Sequence, residues 1–357
     1  MKKIKVGQRF IGDGEPLYFI ADIAANHDGD LKRAFKLIEL AKDSGADAAK
    51  FQNFQANKIV SKEGFDSLGA RLSHHKSWKK SVFEVYWDAS IPFEWTEKLK
   101  KKCDEVEIEY FTSPYDFESV DLVDPYVNVY KIGSGDITWL EIIEYMAKKG
   151  KPIILSTGAA DLDDVKRAMD VVFTKMDEVV LMQCNTNYTV NEENFRFLNL
   201  NVLQTYRDVF KSVILGLSDH TPGHSAVLAA VALGARVFEK HFTDDITREG
   251  PDHKFSMIPT TWKEMVHSAN QVYQALGDGI KRIEANELQT AYLQRRGLRF
   301  TRNIQKGTIL TNDDLFPLRP ISRDGIPPYE ISKVLGRVVL RDVLFDEYVR
   351  MEDLGDA

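Results

Sequence analysis

Eight short runs rich in Val, Ile and Phe recur along the first 240 residues, and segments with helical spacing such as "LKRAFKLIELAKDSGA" and "DDVKRAMDVVF" lie between them. The runs are "YFIADIA" (18–24), "DAAKFQ" (47–52), "IEYFTS" (108–113), "VNVYKIGS" (127–134), "PIILST" (152–157), "VVLMQC" (179–184), "VILGLS" (213–218) and "RVFEKHF" (236–242). Strands that alternate with helices pair in parallel, because the helix carries the chain back to the end at which each strand begins. Eight such units predict a (β/α)8 TIM barrel.

Catalytic groups of that fold stand at the C-terminal strand ends and in the loops after them. Polar residues gather at every one of these ends: Asp22 with Asn26 and His27; Lys50 and Gln52; Thr112 and Ser113; Lys131, Ser134 and Asp136; Ser156 and Thr157; Asn185, Thr186 and Tyr188; Ser218, Asp219 and His220; Glu239, Lys240 and His241. An open doubly wound sheet would concentrate them at one switch point instead.

The connection after the second run spans roughly 40 residues, long enough for a functional lid over the barrel mouth. After "YQALGDGIKR" the alternation stops, and short strand-like pieces with turns follow, "LRFTRNI", "GTIL", "DDLFPLRP", "GRVVLRDV" and "YVRMEDL". The expected domains are a catalytic barrel over 1–281, a linker over 282–291 and a small β-rich domain over 292–357.

A formal net charge of -7 argues against nucleic acid or an anionic membrane as the main partner. No apolar stretch approaches the roughly 20 residues a membrane helix needs, and the N-terminus lacks a signal-type segment, so a soluble, cytoplasmic protein is expected. Cys103 and Cys184 lie far apart, and neither belongs to a CxxC pair, so both are expected as reduced thiols, Cys184 in the core. The basic run Lys98 to Lys102 reads as a solvated helix face.

Lys50 and Lys131, together with Ser113, Ser134, Ser156 and Ser218, offer ammonium and hydroxyl donors suited to a phosphate and a carboxylate on one small molecule. His220 and His241 end neighbouring strands about 5 Å apart, a spacing at which two imidazoles can share one divalent ion. Asp22, Asp136 and Asp252 are acids near the same mouth, able to bind hydroxyls, hold a water or pass a proton. His224, His253 and His27 are weaker ligand candidates, and His27 suits a loop hydrogen bond.

These motifs, in this order, resemble the N-acetylneuraminate (sialic acid) synthase family, the bacterial nonulosonate synthases. The resemblance rests on "IADIAANHDGD", "GADAAKFQ", "FTSPYD", "YKIGSGD", "KPIILSTG", "GLSDHT", "GARVFEKHFT", "GPDHKFSMIP" and "ALGDG", and on a tail, "RFTRNIQKGTILTNDDLFPLRP", similar to the antifreeze-like SAF (β-clip) domain. It implies a transferase that condenses phosphoenolpyruvate with an open-chain acylamino sugar and releases phosphate, in cell-surface polysaccharide biosynthesis. Lys50, Ser113, Lys131, Ser134, Ser156, Thr186 and Ser218 would hold phosphoenolpyruvate, and His220 and His241 a divalent metal, manganese with magnesium or cobalt as substitutes. Gln52, Tyr188 and Asp252, with Asp22, would meet the sugar.

The resemblance further implies a domain-swapped homodimer in which Arg319 of "LRP" reaches the partner's site. Asp22 and Asp136 stand where the family commonly has glutamate, and "QCNTNY" departs from its usual pattern. The acceptor stays open between N-acetylmannosamine and a diacetamido-trideoxyhexose of the legionaminic or pseudaminic type. A metal-dependent pyruvate aldolase, an octulosonate-type synthase and a non-catalytic carbohydrate-binding scaffold are the rival functions.

Overall fold

The computed structural model describes residues 2–68, 75 and 78–356. An antiparallel hairpin of β1 (Lys3–Val6) and β2 (Arg9–Gly12) opens the chain, with Gly7 at φ 57° in its turn. Eight parallel strands follow: β3 (Tyr18–Asp22), β4 (Ala48–Asn53), β5 (Glu109–Pro114), β6 (Tyr130–Ile132), β7 (Ile153–Ser156), β8 (Val179–Cys184), β9 (Ile214–Ser218) and β10 (Val237–His241). Their order, β5-β4-β3-β10-β9-β8-β7-β6, joins the first and last of the eight, with Val237 opposite Tyr18 and His241 opposite Asp22. β5 and β6 lie alongside one another at the remaining seam, so the sheet forms a nearly closed TIM-type barrel.

Both faces of a barrel strand are covered, which is why the strands read as almost unbroken apolar runs. Successive side chains still alternate between interior and helix layer. Tyr18, Ile20, Ala48, Phe111, Val129, Ile154, Val180, Met182, Ile214 and Val237 fill the interior together with Ile4, Val6 and Ile11 of the hairpin. The hairpin, absent from the sequence-based expectation, therefore plugs the N-terminal end of the barrel and leaves only the opposite end for chemistry. The outward set, including Phe19, Phe51 and Phe238, packs against the surrounding helices in the larger core.

Helix α1 (Leu31–Asp43) illustrates the outer layer: Asp30 caps its N-terminus by accepting from the Lys32 amide, and Ala34, Leu37, Ile38 and Ala41 form its buried stripe. The long connection after β4 holds α2 (Ala56–Ile59), α3 (Lys62–Ser67) and α4 (Val82–Ala89), with residues 69–74 and 76–77 of the expected lid outside the described residues. On α5 (Trp95–Glu105) Leu99 and Cys103 turn inward while Lys98 and Lys101 are exposed, as the basic run predicted.

The chain divides into Met1–Gly277 and Asp278–Ala357. Within the second unit, a short helix, Leu288–Gln294, begins inside the stretch expected as a linker, 282–291, and runs past its end. Further on, Leu298, Phe300, Ile304, Leu310, Leu315, Val334, Val339, Val343 and Leu354 build a separate core. Its strands pair as two short antiparallel ladders, β11 (Gly297–Phe300) with β12 (Leu315–Leu318) and β13 (Val338–Val339) with β14 (Leu354–Gly355). No helix among the described residues is long and apolar enough to cross a membrane.

Candidate active site

Above the apolar layers of the barrel, the same inward parity delivers Asp22, Lys50, Lys131, Ser156, Ser218, Glu239 and His241 to one cavity of about 380 Å³. Its floor is ionic. Lys50 Nζ lies 2.7 Å from Asp22 Oδ2 and 3.5 Å from Glu239 Oε2, and Lys131 Nζ lies 3.6 Å from Glu239 Oε1. Lys131 Nζ donates to Ser156 Oγ at 2.7 Å, and Ser218 Oγ donates to Glu239 Oε1 at 3.0 Å.

Burial works against every charge in this group, and the neighbours decide the outcome. Desolvation would raise Glu239, but Lys131, Lys50 and the Ser218 hydroxyl bring it down to about 2, so it is a firm carboxylate. Desolvation, helped by the nearby Glu239 charge, raises Asp22 despite Lys50, so the two acids are pushed apart. Lys50 is desolvated too, yet Asp22 and Glu239 outweigh that and raise it, whereas burial lowers Lys131 against the pull of Glu239. Two lysines thus face two acids within 3.6 Å, so the floor is a mixed cluster rather than the purely cationic one that the residue types alone suggested. Glu239, recognised in sequence only as one polar residue of the last strand end, is the counterion that ties both lysines together.

Beside this floor stand His220 and His241, with ring centroids 5.4 Å apart. His220 Nδ1 donates to the Asn185 carbonyl oxygen at 2.9 Å, which leaves Nε2 as the ring's free electron-pair donor. Burial lowers both imidazoles to about 4, with His241 adding to the shift on His220, so both are neutral at neutral pH. Buried His241 Nδ1 has no hydrogen-bond partner among the described residues, and His241 Nε2 lies 3.7 Å from Asp22 Oδ2. Neutral rings with uncommitted nitrogens suit metal coordination, although no group of three or more His, Cys, Asp or Glu converges on one point among the described residues.

The turn after β6 carries Ser134 and Asp136 to the rim, where burial raises Asp136 to about 6 against the opposing charge of Lys131. Asp252 faces the same space and accepts from the Ala25 amide at 3.1 Å. Tyr188 stands edge-on to His220 at 4.4 Å between centroids, and Gln52 completes the polar lining. Cys184 also faces the cavity, its Sγ 3.9 Å from His220 Nδ1 and its thiol raised by burial to about 11, so it is an unreactive thiol at the wall. The outer wall is apolar and aromatic. Phe54, Val60, Phe65 and Val85 meet Tyr86 and Tyr115, with Phe54 5.5 Å from Tyr86 and 5.9 Å from Tyr115 between centroids.

Several polar strand-end residues turn away from the cavity. Thr112, Thr157, Asp219 and Lys240 have the outward parity; Thr112 bonds Asn53, Thr157 bonds the Met182 carbonyl, and Lys240 pairs with Asp219. Ser113 shares the inward parity of Phe111, but is buried, has no hydrogen-bond partner for its hydroxyl among the described residues and does not line the cavity, and Thr186 lies beside Gly158 outside it. His27 and Asn26 hold loops, His27 through the Gly29 amide and Asn26 through the Phe242 carbonyl and Ser256. His253 is buried between Asp28 and Thr243, and His224 precedes the helix Ser225–Ala232 away from the cavity. Arg319 follows β12 in the second unit.

Comparison with known proteins identifies the family of each unit. Residues 37–281 match the NeuB family, and residues 295–355 match the SAF domain. An N,N'-diacetyllegionaminic acid synthase from Campylobacter jejuni is 36% identical over 93% of this chain and 98% of its own length. The human N-acetylneuraminate-9-phosphate synthase is 32% identical over 98% of this chain and 95% of its own. A crystal structure of an N-acetylneuraminic acid synthetase from Leptospira borgpetersenii superposes with a TM-score of 0.71 at 29% identity, covering 81% of this chain and 95% of that one.

Proposed function

Since this chain belongs to the NeuB family of sialic acid-type synthases and ends in a SAF domain, we propose that it condenses phosphoenolpyruvate with an open-chain N-acylated amino sugar such as N-acetylmannosamine and releases inorganic phosphate. The observation that carries the proposal is the convergence of Lys50, Lys131, Ser156 and Ser218 on one enclosed floor directly beside two neutral imidazoles.

Phosphoenolpyruvate bears a carboxylate and a phosphate on neighbouring atoms, and the two ammonium groups with the hydroxyls of Ser134, Ser156 and Ser218 match that pair of anions. The floor holds the enol with C3 towards the acceptor, so that C3 attacks the aldehyde carbon. His220 and His241 would hold a divalent ion such as Mn2+, which when bound would supply Lewis-acid chemistry at the acceptor. Water then adds at C2, and Asp136, whose carboxyl burial brings up to about 6, accepts its proton. The tetrahedral intermediate collapses with cleavage of the C2–O bond, and the lysines stabilise charge growing on the departing phosphate. Gln52, Tyr188, Asp22 and Asp252 face the sugar.

A second reading of the acceptor, a diacetamido-trideoxyhexose, is favoured by the apolar outer wall of Phe54, Val60, Phe65 and Val85. Deoxy carbons and a second acyl group offer that wall the apolar surface a polyhydroxylated sugar lacks. Family membership also supports a homodimer in which the SAF domain of one chain caps the partner's barrel through Arg319.

The test is mass spectrometry of products formed from phosphoenolpyruvate, Mn2+ and a panel of N-acylated hexosamines, with phosphate assayed in parallel. One phosphate per nine-carbon acid is the expected result, and the panel ranks the acceptors. Loss of phosphoenolpyruvate without a condensed product, or no turnover with any acceptor, overturns the assignment.

A further inference from the structure

We propose that the buried Asp219–Lys240 ion pair is a positioning clamp that sets the separation of His220 and His241; the inference rests on reading those imidazoles as ligands of one metal ion. Asp219 immediately precedes His220, and Lys240 immediately precedes His241. The ladder between β9 and β10 pairs Ser218 with Glu239, and the Asp219 amide donates to the Glu239 carbonyl at 2.9 Å, so the next pair in register is Asp219 with Lys240.

Side-chain alternation then sends the imidazoles inward and the ion pair outward, each half of the pair on the strand that carries one imidazole. Lys240 Nζ lies 2.5 Å from Asp219 Oδ2 with side-chain exposures of 1% and 0%. The remaining capacity of both groups is spent on the segment just beyond His220. Asp219 Oδ1 accepts from the Thr221 amide at 2.9 Å and hydroxyl at 2.8 Å, and Lys240 Nζ donates to the Thr221 carbonyl at 2.7 Å. His220 is therefore held from both sides in sequence, by residues 219 and 221, and both are fastened to the strand that bears His241.

Stability alone does not account for such a pair. The outward residues on either side of Lys240 are Phe238 in β10 and Phe242 just after it, both in the apolar core, and well-packed apolar side chains would serve that layer as well as an ion pair that has been stripped of water. Directional bonds contribute what apolar packing lacks, a defined strand-to-strand spacing. Asp219 and Lys240 do not line the cavity, and their side-chain hydrogen bonds go to Thr221 and to each other; their charges act on His220 in opposite directions, so what the pair adds is where the two rings stand.

Mn2+ titration of the full-length protein without substrates, followed by the electron paramagnetic resonance signal of the free ion, tests the clamp apart from turnover. The double variant Asp219→Asn/Lys240→Met removes both charges together, leaves neither unpaired, and keeps an oxygen acceptor for Thr221. Its Mn2+ Kd is expected to weaken about 10- to 100-fold, the usual consequence of disturbing a group that orients a metal ligand, while the KM for phosphoenolpyruvate at saturating Mn2+ stays within about twofold. A folded double variant with wild-type Mn2+ affinity overturns the clamp. Should that variant fail to fold, Asp219→Glu retains both charges but lengthens one arm by a methylene; it is expected to weaken Mn2+ binding, and unchanged affinity again overturns the proposal. His241→Ala separates the two levels of inference. If it binds Mn2+ as tightly as wild type, the metal reading is wrong; if it loses Mn2+ while the clamp variants keep it, only the clamp is wrong.

Discussion

Replacing Glu239 with glutamine removes one negative charge from between two lysines while keeping the side chain's shape and an acceptor for the Ser218 hydroxyl. Oε2 lies 3.5 Å from Lys50 and Oε1 3.6 Å from Lys131. At an effective dielectric of about 20, each such contact is worth roughly 5 kcal/mol before desolvation is subtracted. Removing one partner of a buried pair costs about 3–5 kcal/mol net, because the remaining charge stays buried without its counterion. At about 2 °C per kcal/mol for a domain of this size, Glu239→Gln should melt about 6–10 °C below wild type.

The same substitution leaves the lysines short of an anion, so inorganic phosphate or phosphoenolpyruvate should raise the melting temperature more in the variant than in the wild type. Both effects are read by differential scanning calorimetry with and without the anion. Glu239 is held at about 2 in the folded protein against an ordinary 4.5, so its contribution is present above the ordinary value and lost as the pH falls towards the folded one. The gap between variant and wild type should therefore narrow below pH 4.5. A variant that melts within about 2 °C of wild type, or gains no more from the anion, refutes the counterion role.

The remaining expectations concern the rim and the second unit. Asp136→Asn should slow phosphate release about 10²- to 10⁴-fold and abolish the fall in rate below about pH 6 that an ionised base at that position produces, which a pH profile from 5 to 8 resolves. Asp22→Glu drives its carboxylate one methylene further into a space bounded by Lys50 at 2.7 Å and His241 at 3.7 Å. The ranking of acylamino sugars should change, and identical kcat/KM ratios across the panel would remove Asp22 from acceptor recognition. A chain ending at residue 285 should keep a cooperative melt, since the barrel core excludes the second unit, yet lose nearly all phosphate release; full activity would exclude a role for Arg319.

The barrel was legible because period and residue type are local properties. "VVLMQC" matches strand Val179–Cys184 residue for residue, and the other seven runs contain their strands apart from a residue or so at the ends. The inward-facing functional residues Asp22, Lys50, Lys131, Ser156, Ser218, His220 and His241 were all legible as polar residues where an apolar strand stops. The hairpin at Lys3–Gly12 was missed because its apolar residues are few, and its burial comes from plugging strands far away in sequence.

What the sequence determined by itself is the alternation of strand and helix, the polarity of each strand's end, and the motifs that ally the chain with its relatives. It could not say that Glu239 and His241 face in while Lys240 and Asp219 face out, because barrel strands are apolar on both faces and local pattern does not distinguish the two parities. That choice was made only when the closing ladder set His241 opposite Asp22 and brought Lys50 and Lys131 to either side of one carboxylate. The arrangement of charge on the floor is a property of distances between residues as far apart in sequence as Asp22 and His241, and only the closed barrel fixes those distances.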